Sequence, residues 1–116
     1  MTRVLLVEDE PLVRIMAEED LAELGCAVTA ADSGDAAIDV LAGGAEFDVL
    51  VTDIRMPGSL DGWALAREVR RRFPGIGIVY VSGYAGETHE PLPGSHFVKK
   101  PYRLEQLHQA VRDSAA

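Results

Sequence analysis

Cysteine is nearly missing from this chain of 116 residues: Cys26 stands alone. A lone cysteine excludes an internal disulfide, and a small side chain of this kind is expected in a core, not at a redox site. No apolar run approaches the roughly 18 residues that suggest a membrane span. Basic residues are in the minority, 11 against 19 acidic, for a formal charge of −8. That sign repels phosphate backbones and anionic lipid, so neither nucleic acid nor a membrane surface is an expected partner. The N-terminus runs directly into a strand-like segment with an acidic end and has no signal-peptide pattern, so a cytoplasmic location is expected. There is no internal repeat and no low-complexity segment.

What is present suffices for one core: 47% of the residues are hydrophobic, and the length suits a single domain spanning 1–116 without an effector domain. Apolar runs alternate with helical spacing. Arg3–Val7 reads as a buried strand that stops at Glu8-Asp9-Glu10. Pro11 suits a helix first turn, and Val13, Met16, Ala17, Leu21 and Leu24 follow at helical intervals until Gly25. Ala27–Ala31 is a second strand. Ser33 caps a helix that ends at Gly43-Gly44. Val49-Leu50-Val51-Thr52 is a third strand, ending on Asp53 before the Pro57-Gly58 turn. Asp61 caps the next helix, and Arg70–Arg72 close it, where cations suit the macrodipole. Ile76–Val81 is a fourth strand with Ser82-Gly83 at its end. Tyr84–Ser95 is the least regular stretch, expected to be a loop with at most a short helix around Gly86–Glu90. His96–Lys99 is a fifth strand, and Leu104, Leu107, Ala110 and Val111 mark a last helix.

Strand and helix in alternation predict an α/β fold of (βα)5 type, a doubly wound parallel five-stranded sheet. Ligands of such sheets bind at the carboxyl ends of the strands. Those ends carry Glu8 and Asp9, Asp53, Ser82 and Lys100. Three carboxylates on one rim repel one another unless a cation sits among them, and a hard dication with oxygen ligands relieves this, as Mg²⁺ does. A hydroxyl and an ammonium beside them are parts for holding a phosphoryl group on a carboxylate. Each residue alone has a plainer reading, as turn, cap or surface charge; the joint placement favours the chemical one.

These residues match a known family. Leu5-Leu6-Val7-Glu8-Asp9-Glu10, Asp53-Ile54-Arg55-Met56-Pro57-Gly58 with Asp61-Gly62, Val81-Ser82-Gly83 and Lys100-Pro101-Tyr102 make the chain resemble the receiver domain of two-component response regulators over nearly its whole length. The resemblance implies the flavodoxin-like strand order 2-1-3-4-5 and a role for each motif residue. Asp53 would be the phosphoacceptor. Glu8, Asp9 and Asp53, with the backbone carbonyl of Arg55, would serve Mg²⁺ or Mn²⁺, Glu8 through water. Ser82 and Lys100 would take phosphoryl oxygens, Phe97 would follow the Ser82 loop, and Pro101 would follow a cis bond. The partners implied are a sensor histidine kinase or phosphotransfer protein and a downstream protein target. The domain would be a signalling module that promotes its own phosphorylation and dephosphorylation, not an enzyme in its own right.

Two departures stand out. One extra residue lies between Pro57 and Gly62, and the stretch from Ser82 to Lys100 is short by about one helical turn, so the family's fourth helix is expected to be short or absent. Arg55 and Tyr84 are bulky enough to shield a phosphoryl group and slow its hydrolysis. Trp63 and Tyr102 are candidates for partner contact, with simple packing equally open for Trp63. No pairing of His89, His96 or His108 has metal-ligand spacing. Three other readings remain: a phosphohydrolase, for which Arg55 stands where a second acid belongs; a flavodoxin-like cofactor binder, whose phosphate Glu8-Asp9-Glu10 would repel; and a phosphate sink or receiver fragment of a hybrid histidine kinase.

Overall fold

The computed structural model describes residues 1–83 and 91–115. Five strands, β1 (Arg3–Val7), β2 (Ala27–Ala31), β3 (Val49–Asp53), β4 (Gly77–Ser82) and β5 (His96–Lys99), form one sheet in the order β2-β1-β3-β4-β5. Every pairing is parallel. The helices among the described residues are α1 (Pro11–Glu23), α2 (Gly34–Ala42), α3 (Gly62–Arg72) and α4 (Leu104–Ala115). Between β4 and β5, Gly83 and residues 91–95 carry no helix. The short helix expected around Gly86–Glu90 falls outside the described residues, as do Tyr84 and His89.

Alternation along each strand feeds two cores, because successive side chains point to opposite faces of a sheet. Leu5, Val7, Leu50, Ile78 and Tyr80 pack with α2 and α3 through Ala37, Leu41, Leu65 and Val69. Val4, Leu6, Val49, Val51 and Val79 pack with α1 and α4 through Ala17, Leu21, Leu107 and Val111. Strands buried on both faces read as unbroken apolar runs, which is why β1, β3 and β4 are visible in the sequence.

The caps fall where the sequence puts them. Ser33 Oγ accepts from the Ala36 amide at 3.0 Å and Asp61 Oδ1 from the Ala64 amide at 2.8 Å, each satisfying one orphan donor of a helix first turn. Met16 sits at helical spacing with the core residues of α1 yet is 56% exposed, as are Leu12 and Ile15 in large part. The buried stripe of α1 is narrower and rests on Ala17 and Leu21. Trp63 resolves to packing: it is buried, its ring 4.5 Å from that of Tyr80. No described helix is long and apolar enough to cross a membrane.

Candidate functional site

Parallel strands bring their carboxyl ends to one edge, and the register decides which residues become neighbours there. Val7 pairs with Thr52, so Glu8 follows β1 beside Asp53 at the end of β3. Asp53 pairs with Val81, which places Ser82 one step further along the same rim. Ser82 pairs with Lys99, and the Lys100 amide donates to the Ser82 carbonyl at 2.8 Å. The Lys100–Pro101 peptide bond is cis.

Glu8, Asp9 and Asp53 come together closely: one carboxylate oxygen from each lies within 4.8 Å of the others. The Lys100 ammonium reaches into this group. It donates to Glu8 Oε1 at 2.6 Å and to Asp53 Oδ2 at 3.4 Å. The remaining oxygens are held from below. The Ile54 amide donates to Asp53 Oδ1 at 2.7 Å, and the Glu10 amide to Glu8 Oε2 at 3.2 Å. Glu8 is buried, at 4% exposure, whereas Asp9 and Asp53 stay partly open to solvent. A narrow cavity lined by Val13, Ala17, Val51, Val81 and Leu107 also borders Glu8, Asp53 and Lys100, so the charges rest on an apolar floor.

Burial works against the Lys100 ammonium, but the Glu8 hydrogen bond and the Asp53 and Glu8 charges outweigh it and hold its pKa above the usual lysine value. Three carboxylates against one ammonium leave a formal excess of two negative charges. A hard dication with oxygen ligands matches that excess in charge and in donor type. Among the described residues no other group of His, Cys, Asp and Glu is arranged to hold a metal ion.

The sequence profile of the response regulator receiver domain matches residues 4–112. The chain belongs to that family. The sensor kinase CckA of Brucella abortus is 39% identical over 115 residues, covering 95% of this chain and 12% of that protein. The receiver thus spans about an eighth of that relative's length. Among solved structures, a response regulator receiver protein of Sinorhizobium medicae superimposes with a TM-score of 0.92 at 38% identity, covering 98% of this chain and 94% of that one. The response regulator TrrA of Thermotoga maritima, solved in complex with Mg²⁺ and BeF, gives a TM-score of 0.85 at 27% identity, covering 97% of each chain. The strand order 2-1-3-4-5 is that of the flavodoxin-like receiver fold.

The remaining candidate residues are spread over the strand ends and the sheet edge. Arg55 is exposed just past β3, and Ser82 is buried at the end of β4. Phe97 sits on the edge strand β5 in register with Tyr80 and is 48% exposed. Tyr102 is half-buried against the α1–α4 core and therefore combines packing with a partly open ring. His108 approaches the Asp20 carbonyl at 3.0 Å and so ties α4 to α1. The direct Glu8–Lys100 pair was not readable from the sequence. Its partners lie 92 positions apart, and only the parallel register brings them together.

Proposed function

We propose that this receiver accepts a phosphoryl group on Asp53 from the phosphohistidine of a sensor histidine kinase or a phosphotransfer protein. One observation carries the reading: an Asp53 carboxylate lies at a strand end within reach of the Lys100 ammonium and beside two further carboxylates. A carboxylate oxygen of Asp53 forms the new P–O bond as the P–N bond of the donor breaks. The electron pair of that bond stays on the imidazole, which takes a proton from solvent.

Glu8, Asp9, Asp53 and the Arg55 carbonyl would hold Mg²⁺ or Mn²⁺, and the donor set of hard oxygens with excess negative charge fits such an ion. When bound, the ion offsets negative charge on the phosphoryl oxygens. Lys100, already oriented by Glu8, supplies a fixed positive charge to one phosphoryl oxygen. Ser82 donates its hydroxyl to another. The added charge draws the Ser82 end of β4 inward, Phe97 changes rotamer, and the surface around β5 and α4 presents a different face to a protein target. This is a shift between two populations biased by a local charge.

Mass spectrometry after treatment with a small acyl phosphate and Mg²⁺ tests the assignment. Wild type gains one phosphoryl mass and Asp53→Asn gains none; equal adducts on both overturn it. A second reading, a receiver segment of a hybrid kinase, is favoured by the 95% coverage of this chain in its alignment with the Brucella sensor kinase.

A further inference from the structure

We propose that Asp35 and Ser59 form a latch that positions the loop following Asp53, and with it the Arg55 carbonyl; the inference rests on the reading of Asp53 and Arg55 given above. The loop is pinned at two places. At its base the Gly62 amide donates to the Ile54 carbonyl at 2.7 Å. A Cβ on Gly62 would meet the Asp53 carbonyl and stand 2.7 Å from the Ile54 Cα, so the closing contact is backbone on backbone. At its tip Ser59 Oγ donates to Asp35 Oδ1 at 2.6 Å, and the Ser59 amide approaches Asp35 Oδ2 at 3.5 Å. Leu60, next to it, packs against the α2–α3 core and comes so close to Gly34 that a Cβ there would lie 2.7 Å from the Leu60 Cβ. Arg55 lies between the two pinned points.

The tip contact joins the first turn of α2 to a loop 24 positions away. Asp35 also sits where a carboxylate suits the α2 dipole. That role would be indifferent to Ser59, whereas the latch requires both residues. They act through the loop and are positioning residues, since neither lies among the carboxylates that would hold the ion.

The test uses the full chain and reads Mg²⁺ binding by calorimetry, amide exchange over residues 54–60, and the initial rate of Asp53 phosphorylation by a small acyl phosphate against Mg²⁺ concentration. We expect Ser59→Ala and Asp35→Ala each to weaken Mg²⁺ binding severalfold, up to the roughly tenfold lower bound seen for direct partners of a metal ligand, because the loop carrying the Arg55 carbonyl loses its tip contact. The rate at saturating Mg²⁺ stays within about twofold, because the reacting groups are untouched. Exchange over 54–60 speeds up in both, with an unchanged melting curve for Ser59→Ala and a slightly lowered one for Asp35→Ala, which also loses its charge at the α2 N-terminus. Ser59→Thr, which keeps the hydroxyl, restores binding, and the double variant is no worse than either single one. Wild-type Mg²⁺ affinity in Ser59→Ala overturns the latch alone. A wild type that neither binds Mg²⁺ nor gains phosphate overturns the reading of the site and the latch with it.

Discussion

The Lys100 ammonium donates to Glu8 Oε1 at 2.6 Å, joining the end of the first strand to the turn after the last. The pair is unequal in exposure: the Glu8 side chain is 6% exposed and that of Lys100 24%. Glu8 therefore depends on Lys100 more than the reverse. Lys100→Met leaves a buried carboxylate without its cation and should lower stability by about 1–3 kcal/mol, discounted for the lysine's partial exposure. Adding Glu8→Gln should recover part of the loss, and millimolar Mg²⁺ should narrow the gap between Lys100→Met and wild type. Urea unfolding of the single and double variants, with and without the ion, checks all three.

Gly62 lies against the backbone of Asp53 and Ile54, with no space for even a methyl group. Gly62→Ala must push α3 away from the end of β3 and should destabilise by about 1–3 kcal/mol or more. It should also reduce phosphorylation of Asp53, because the displaced backbone is that of the proposed acceptor. An alanine variant matching wild type in both thermal unfolding and phosphoryl gain would refute this.

Glu68 provides the acid-side handle. Hydrogen bonds from Arg71 and Arg72, the latter at 2.7 Å, and their charges hold its carboxyl at about 2, below the ordinary 4.5. A depressed carboxyl adds stability that is fully present above the unfolded value and fades as pH falls from 4.5 through about 2. The side chain is partly open to solvent, at 30% exposure, so the contribution is small and screened by salt. Glu68→Gln should flatten the stability profile within that window and leave neutral pH nearly unchanged, as read from urea midpoints at stepped pH.

Phe97 separates folding from response. Phe97 is 48% exposed, so Phe97→Ala should cost about 1–2 kcal/mol, less than a core truncation and not enough to unfold the domain. Asp53 should still gain phosphate at the wild-type rate. The beryllofluoride-induced NMR shifts along α4 should shrink, because the ring proposed to transmit the change is gone. Undiminished shifts would remove Phe97 from the switch.

Much of this was legible locally. β1, β3 and β4 show as apolar runs because both faces are covered, and Ser33 and Asp61 show as caps because their bonds span only three residues. The carboxylates of Glu8, Asp9 and Asp53 could be gathered from the sequence because parallel topology sends all strand ends to one edge. The exposure of Met16 was not legible, because helical spacing identifies a stripe without saying how wide its buried part is. The Glu8–Lys100 and Asp35–Ser59 bonds were not legible, being 92 and 24 positions apart and set by register and loop path.

The spread of the site along the polypeptide has a consequence for synthesis. Glu8, Asp9 and Asp53 are all translated before Lys100, whose ammonium pairs with Glu8 and Asp53. A nascent chain thus holds an unbalanced acidic trio until the last strand has docked. Under the proposed function, competence to receive phosphate would then arise only once β5 has joined the sheet.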